Sequence, residues 1–146
     1  MTKANKKQLI ELAFTYARKS QDPHLKVGAV LIEKFKWGGV ERAYSICAEG
    51  HNHLPKAFKH LGYKDACDRT RPEVIHAEEH ALSYLMKNDK CSVGNKFELV
   101  CTLSPCFQCS KLIYLSGIKK IYFKDYYKDM SGIRFLEANG VKCERV

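Results

Sequence analysis

"KFELVCTLSPCFQCSKLIYLSGIKKIYF", residues 96–123, decides the fold. Its first eight residues, Lys96 to Leu103, form an apolar run that reads as a buried strand. Ser104-Pro105 then supplies an N-cap followed by proline in the first turn, the usual start of a helix. That helix runs through Leu112 to about Ser116, where Gly117 closes it. "IKKIYF" resumes as a strand. Two strands separated by one helix imply parallel pairing.

Working outward, Leu9, Leu12, Ala13, Tyr16 and Ala17 recur at helical spacing, so roughly 4–19 is an opening amphipathic helix that Asp22-Pro23 stops. "KVGAVLIE" (26–33) is a buried strand, "WGGV" (37–40) a turn, and "RAYSICAEG" (42–50) the antiparallel partner. Residues 51–75 read as loop with a short helix around "PKAFKHLGY". A second helix begins near His76, turns Ala77, Ala81, Leu82 and Leu85 inward, and fades at "KNDKCSVGN" (87–95). "MSGIRFLEANG" (130–140) is a last helix and "VKCERV" (141–146) a last strand. The expected architecture is α/β: a mixed five-stranded sheet with helices on both faces, in one domain spanning 1–146.

Composition bounds the rest. The longest apolar runs, such as "VGAVLI", are far too short to span a membrane, and the N-terminus lacks the apolar core of a secretory signal. Seven cysteines, an odd number, fit a reducing, cytoplasmic setting better than a disulfide framework. The net charge of +9, from 25 basic and 16 acidic residues, favours anionic ligands. The lysines are scattered, so charge alone does not choose between a nucleotide and a polynucleotide.

The chemistry lies in two motifs. Cys106 and Cys109 stand three apart at a helix start, on one face, where exposed amides and the helix dipole favour thiolate, the form a metal requires. His76 sits likewise at a helix start thirty residues upstream. One histidine and two cysteines make a tetrahedral zinc site with one corner left for water, the catalytic rather than the structural arrangement. Glu78, two residues from His76, is the proton carrier. "IHAEEHAL" also allows a second parse, H-x-x-E-H, in which His76, Glu79 and His80 form an inverted zinc-protease pattern. That parse leaves "SPCFQC" without a role. A redox C-x-x-C needs no upstream H-x-E. A closed four-ligand zinc lacks a good fourth donor, since Cys101 lies on a buried strand.

H-x-E followed by P-C-x-x-C is the known signature of the zinc nucleobase deaminases, so the assignment is a recognition. Together, "KVGAV", "GHN", "IHAEEHAL", "TLSPCFQCSKLIYLSGIKKIYF" and the trailing "DYY" resemble the cytidine deaminase superfamily over nearly the whole chain, and within it the phage-type deoxycytidylate (dCMP) deaminases. The resemblance implies a three-layer α/β/α fold, zinc on His76, Cys106 and Cys109, Glu78 as general acid and base, and hydrolysis of dCMP to dUMP and ammonia, which feeds thymidylate synthesis. It implies a homo-oligomer, from dimer to hexamer. It places Asn52 on the sugar and the Ala77 amide on the pyrimidine. Lys26, Arg69 and Arg71 are the cations offered to the 5′-phosphate, and Tyr126 is the aromatic that closes over the nucleotide.

"GHNH" stands where the family carries "GYNG", an element it associates with control by dCTP and dTTP; His53 replaces the second glycine. Some phage enzymes hold a second zinc in the insert before H-x-E, and here His51, His53, His60 and Cys67 are the donors available for one. Cys47, Cys91, Cys101 and Cys143 read as core or surface thiols. The alternative activity is deamination of a base within tRNA or single-stranded nucleic acid. Against it stand the absence of a dense basic stripe and Ser104, where tRNA enzymes carry glutamate. A non-catalytic zinc fold would have no need of Glu78, which is present.

Overall fold

The computed structural model describes residues 1–38, 40–89 and 96–146, and only the backbone at 36, 37 and 40–43. The elements follow the expected order: α1 (Lys3–Ala17), β1 (Gly28–Trp37), β2 (Val40–His51), a 3-10 helix (Lys56–Leu61), α2 (Ala77–Lys87), β3 (Phe97–Leu103), α3 (Phe107–Leu115), β4 (Lys120–Asp125), α4 (Ser131–Ala138) and β5 (Lys142–Arg145). The sheet runs β2-β1-β3-β4-β5. β1 is antiparallel to both β2 and β3, whereas β3, β4 and β5 are parallel. The sheet is therefore mixed and five-stranded, as expected from the order of elements, and the two strands of the quoted stretch, β3 and β4, are parallel.

Residue alternation divides the core into two layers. On β1, Ala29 and Leu31 face one side and Val30 and Ile32 the other. β3 and β4 repeat the pattern, with Leu99, Cys101, Ile121 and Phe123 on the first side and Val100 and Tyr122 on the second. The first side packs against Ala77, Ala81, Leu82 and Leu85 of α2, Ile113 of α3, and Ile133 and Leu136 of α4. The second is covered by Leu9, Ile10 and Ala13 of α1. The three layers are thus α1, sheet, and α2–α3–α4. Glu144 of β5 helps to fix α1 and β4 by accepting from Lys6 and from Lys120, the latter at 3.1 Å.

Two expectations at element ends change. Helix α3 begins at Phe107, and Cys106, extended at φ −69° and ψ 169°, is its N-cap in place of Ser104. The reason is tertiary. The Ser104 N–H donates to the Asp125 carbonyl at 2.8 Å, and its hydroxyl accepts from the Tyr127 N–H at 2.7 Å. Those bonds hold Ser104 to the end of β4, and Pro105 after it disfavours helical backbone there. Helix α1 ends at Ala17, two residues earlier than expected. Helix α2 ends at Lys87, where "KNDKCSVGN" begins, with Asn88 as its C-cap. Gly39 of the "WGGV" turn and residues 90–95, with Cys91, lie outside the described residues.

One contact positions the start of α2. A Cβ on Gly50 of β2 would come within 2.0 Å of the Ala77 carbonyl oxygen and 2.8 Å of the Ala81 nitrogen, both backbone atoms. Only glycine lets the helix lie this close to the strand. Gly50→Ala is therefore expected to destabilise the fold by about 1–3 kcal/mol, the usual cost of overpacking, as read by the denaturant midpoint. An unchanged midpoint would mean that α2 shifts freely on the sheet.

Candidate metal centre and active site

Helices α2 and α3 begin side by side, and their N-cap residues are His76 and Cys106. The His76 Nδ1 lies 3.5 Å from the Cys106 sulfur and 3.4 Å from the Cys109 sulfur. A tetrahedral zinc with bonds of about 2.0–2.1 Å to nitrogen and 2.3 Å to sulfur needs nitrogen–sulfur edges of roughly 3.5–3.6 Å. The donor triangle already has that size, so the residues fit the metal.

The protons tell the same story. Cys106 is pushed down to about 4, first by the hydrogen bond from the Cys109 thiol and then by that to His76. Cys109 is correspondingly raised, because its proton is held between the two sulfurs. His76 is pushed up to about 9, first by its hydrogen bond with Cys106. Three donors facing one another share protons where a cation would replace them.

The two glutamates that follow His76 have different fates. Glu79 accepts the His76 backbone N–H at 2.7 Å, closing the first turn of α2 and fixing the residue that bears the imidazole. Glu78 is buried, and burial pushes its carboxyl up to about 7, with His76 pulling the other way. A carboxyl in that range can both accept and release a proton near neutrality. The protease parse fails here on geometry, because Glu79 is engaged by the helix start and His80 stands in another cluster.

The model of the cytidine and deoxycytidylate deaminase zinc-binding region matches residues 3–125. The chain belongs to that family. It is 31% identical over 145 residues to a Drosophila melanogaster protein named "Probable deoxycytidylate deaminase", covering 88% of this chain and 66% of that protein, just under two thirds of its length. It is 29% identical over 118 residues to the deoxycytidylate deaminase of Mycobacterium phage D29, covering 77% of this chain and 88% of that one. Among solved structures, the dCMP deaminase of cyanophage S-TIM5 in complex with dCMP and dUMP is 33% identical. It aligns with a TM-score of 0.81 over 100% of this chain and 99% of its own.

Around the family's motif residues, the other expected positions sort themselves out. Asn52 is buried and uses its amide on its own chain. Nδ2 donates to Asp22 at 3.1 Å and to the Leu25 carbonyl at 2.8 Å, while Oδ1 accepts from the Val27 N–H at 2.8 Å. One lone pair of Oδ1 remains for a ligand. Ala77 is fully buried, and its N–H is among those a helix start leaves without an intrahelical acceptor. Lys26 is exposed. Arg69 is exposed and paired with Asp65 at 3.0 Å, whereas the buried Nε of Arg71 has no hydrogen-bond partner among the described residues. Tyr126 is half exposed, its ring against Phe123 with a centroid distance of 5.1 Å and 5.2 Å from the Arg145 guanidinium.

The next residue is the one sequence reasoning missed. Tyr127 is half-buried, its N–H donates at 2.7 Å to the hydroxyl of Ser104, two residues before Cys106, and its phenol is raised by burial and then by the charge of Cys106. The donors named for a second zinc fall into two groups. Among the described residues, His51 and His53 group with His80, and neither His60 nor Cys67 belongs to any such cluster. Both of those are exposed. The usable signal was H-x-H in extended chain, which puts both rings on one side.

The donor triangle depends on a close approach by α4. A Cβ on Gly132 would lie 2.4 Å from the Pro105 carbonyl oxygen and 2.9 Å from the Cys106 carbonyl carbon. Gly132→Ala must therefore displace the backbone that carries Cys106. Its zinc affinity is expected to fall by about 10- to 100-fold in competition with a chelator, the range seen when a ligand's support is lost. Wild-type affinity in the variant would show that α4 does not fix Cys106.

Proposed function

We propose that this chain hydrolyses dCMP to dUMP and ammonia, with zinc held by His76, Cys106 and Cys109 and Glu78 moving the protons. The observation that carries this reading is the pairing of a buried carboxyl with a three-donor triangle of zinc dimensions on the same helix start. The choice of dCMP rests on the likeness to the cyanophage enzyme across the whole chain. Zinc, when bound, supplies Lewis acidity that would bring the pKa of a water down to roughly 7.

Every other step belongs to the chain. Glu78 takes a proton as water adds to C4 of the base and gives it to N3. It then takes the proton of the new C4 hydroxyl and gives it to the amino group. The C4–N bond breaks, ammonia leaves, the C4 carbonyl forms and Glu78 ends as it began. Ala77, whose N–H faces no helical acceptor, hydrogen-bonds the pyrimidine. The free lone pair of Asn52 accepts from a sugar hydroxyl. Of the three cations considered for the phosphate, Arg71 is preferred, because its buried Nε has no hydrogen-bond partner among the described residues, whereas Arg69 is engaged by Asp65 and Lys26 is exposed. Tyr127, rather than Tyr126, then packs by the base. The homo-oligomer the family resemblance implies has a candidate face in Phe107, Leu112 and Leu115, apolar side chains that α3 leaves exposed. The setting is the cytoplasm, and the product serves thymidylate synthesis.

Ammonia release from a panel of dCMP, CMP, dCTP, deoxycytidine, tRNA and single-stranded DNA tests the reading, with zinc-loaded protein expected to prefer dCMP. Glu78→Gln should lower kcat by about 10²- to 10⁴-fold while keeping its zinc. Turnover of an oligonucleotide with free dCMP untouched would refute the substrate, and wild-type turnover in Glu78→Gln would refute the mechanism.

The phosphate contact has its own measurement. Arg71→Ala is expected to raise KM for dCMP by about 10- to 100-fold, the worth of a hydrogen bond to a charged group, and to leave deoxycytidine turnover unchanged. Equal losses on both substrates would mean that Arg71 does not meet the phosphate.

A further inference from the structure

One turn along α2 from His76 stands a second set of imidazoles that deamination does not use. Metal-ligating nitrogens of His51, His53 and His80 lie within 4.8 Å of one another. Their ring centroids are 4.7–5.2 Å apart, and all three side chains are half-buried. The three come from separate places: the end of β2, the extended chain just after it, and the second turn of α2.

Simple ring packing would leave imidazoles whose nitrogens are otherwise satisfied. Here they are not. Among the described residues, the buried Nδ1 of His51 has no hydrogen-bond partner. His53 Nδ1 lies 2.9 Å from the His51 carbonyl oxygen, so it carries the proton and leaves the Nε2 lone pair free. A backbone carbonyl holding one ring nitrogen in this way is the usual support of a ligating histidine. His80 Nδ1 accepts from the His51 N–H at a long 3.4 Å.

Access and charge are compatible with an ion. The cluster stands between two hollows, one lined by His51, His53, Lys59 and Tyr63 and the other by His80, Glu49, Ser83 and Asn88. Lys19, which also lines the first hollow, is already paired with Glu49. Imidazole-only donor sets select zinc and its neighbours in the first transition row over magnesium or calcium.

We propose that His51, His53 and His80 form a second metal site, taking zinc or a similar borderline divalent ion, separate from the centre at His76, Cys106 and Cys109. Such an ion would tie the end of β2 to α2. His53 already pairs with Ile75 through two backbone hydrogen bonds of 3.0 and 2.8 Å, and the His80 N–H donates to the His76 carbonyl at 3.0 Å. The second metal would therefore hold in register the two segments that carry Asn52 and His76. It does not depend on the substrate of the first centre.

Cobalt separates the two centres, because only a cysteine-bound ion gives thiolate-to-metal charge transfer. The full, untagged chain, reconstituted from metal-free protein with cobalt and freed of excess, is expected to retain two equivalents. One should carry the charge-transfer band and one should show imidazole-type d–d absorption alone. His80→Ala and, separately, His53→Gln should each lose the second equivalent and keep the charge-transfer band at full strength, which also certifies their fold. Cys106→Ser/Cys109→Ser should keep one equivalent without charge transfer. A single equivalent in the wild type overturns the proposal, and so do two equivalents retained in both histidine variants.

Discussion

Two helix starts share one metal-sized space only because the backbone beside each is free to come close. A helix that leads into β3 runs antiparallel to it, so α2 begins over the carboxyl end of that strand. The helix that leaves β3 begins at the same end. Chain direction alone therefore brings His76 and Cys106 to one edge of the sheet, where open α/β folds hold their ligands. Direction does not set the last ångström. That depends on Gly50, which admits the Ala77 carbonyl against β2, and Gly132, which admits the Pro105 carbonyl against α4. Larger side chains at either point would separate donors that now stand 3.4–3.5 Å apart.

The same edge sets the electrostatics. Cys106 at an N-cap faces unpaired amides and the positive end of a helix dipole, and it is the thiol that ionises most readily of the pair. Glu78 and Glu79 are adjacent in sequence and point into different worlds. Glu79 is spent on the His76 N–H, while Glu78 is buried beside the donors, with Cys101 behind it also raised by burial. Helical rotation of about 100° per residue separates a structural carboxylate from one available for chemistry.

Much of this was legible in the sequence, because the signals were local. The five strands, the four helices and the crossover from Phe97 to Asp125 follow from periodicity and punctuation. The donor set follows from two motifs whose spacing matches helix starts. What the sequence did not show are pairings between distant residues. Ser104 fails as an N-cap because Asp125 and Tyr127, more than twenty residues on, hold it to β4. Asn52 proves to be a clamp on Asp22, thirty residues back, as much as a candidate sugar contact. His80 joins His51 and His53 through a helix–strand contact that no spacing within the insert could reveal. Tyr126 and Tyr127 could not be told apart where a strand ends and its alternation stops.

The excess of positive charge also resolves by position rather than by count. Lys6 and Lys120 share Glu144, Lys19 meets Glu49, and Lys34 meets the buried Glu98 at 2.9 Å. Lys6 and Lys120 also lie over the Tyr122 ring, 5.4 and 4.6 Å from its centroid. These lysines sit along the α1 side of the sheet, away from the helix starts that form the metal centre. Exposed pairs of this kind add little stability each, but a cation engaged by a carboxylate has less charge to offer a phosphate backbone. A duplex or single strand asks for many cations aligned along one path, since its own charges repeat every few ångströms. The lysines named here are divided among separate carboxylates on the α1 side of the sheet and do not make such a path.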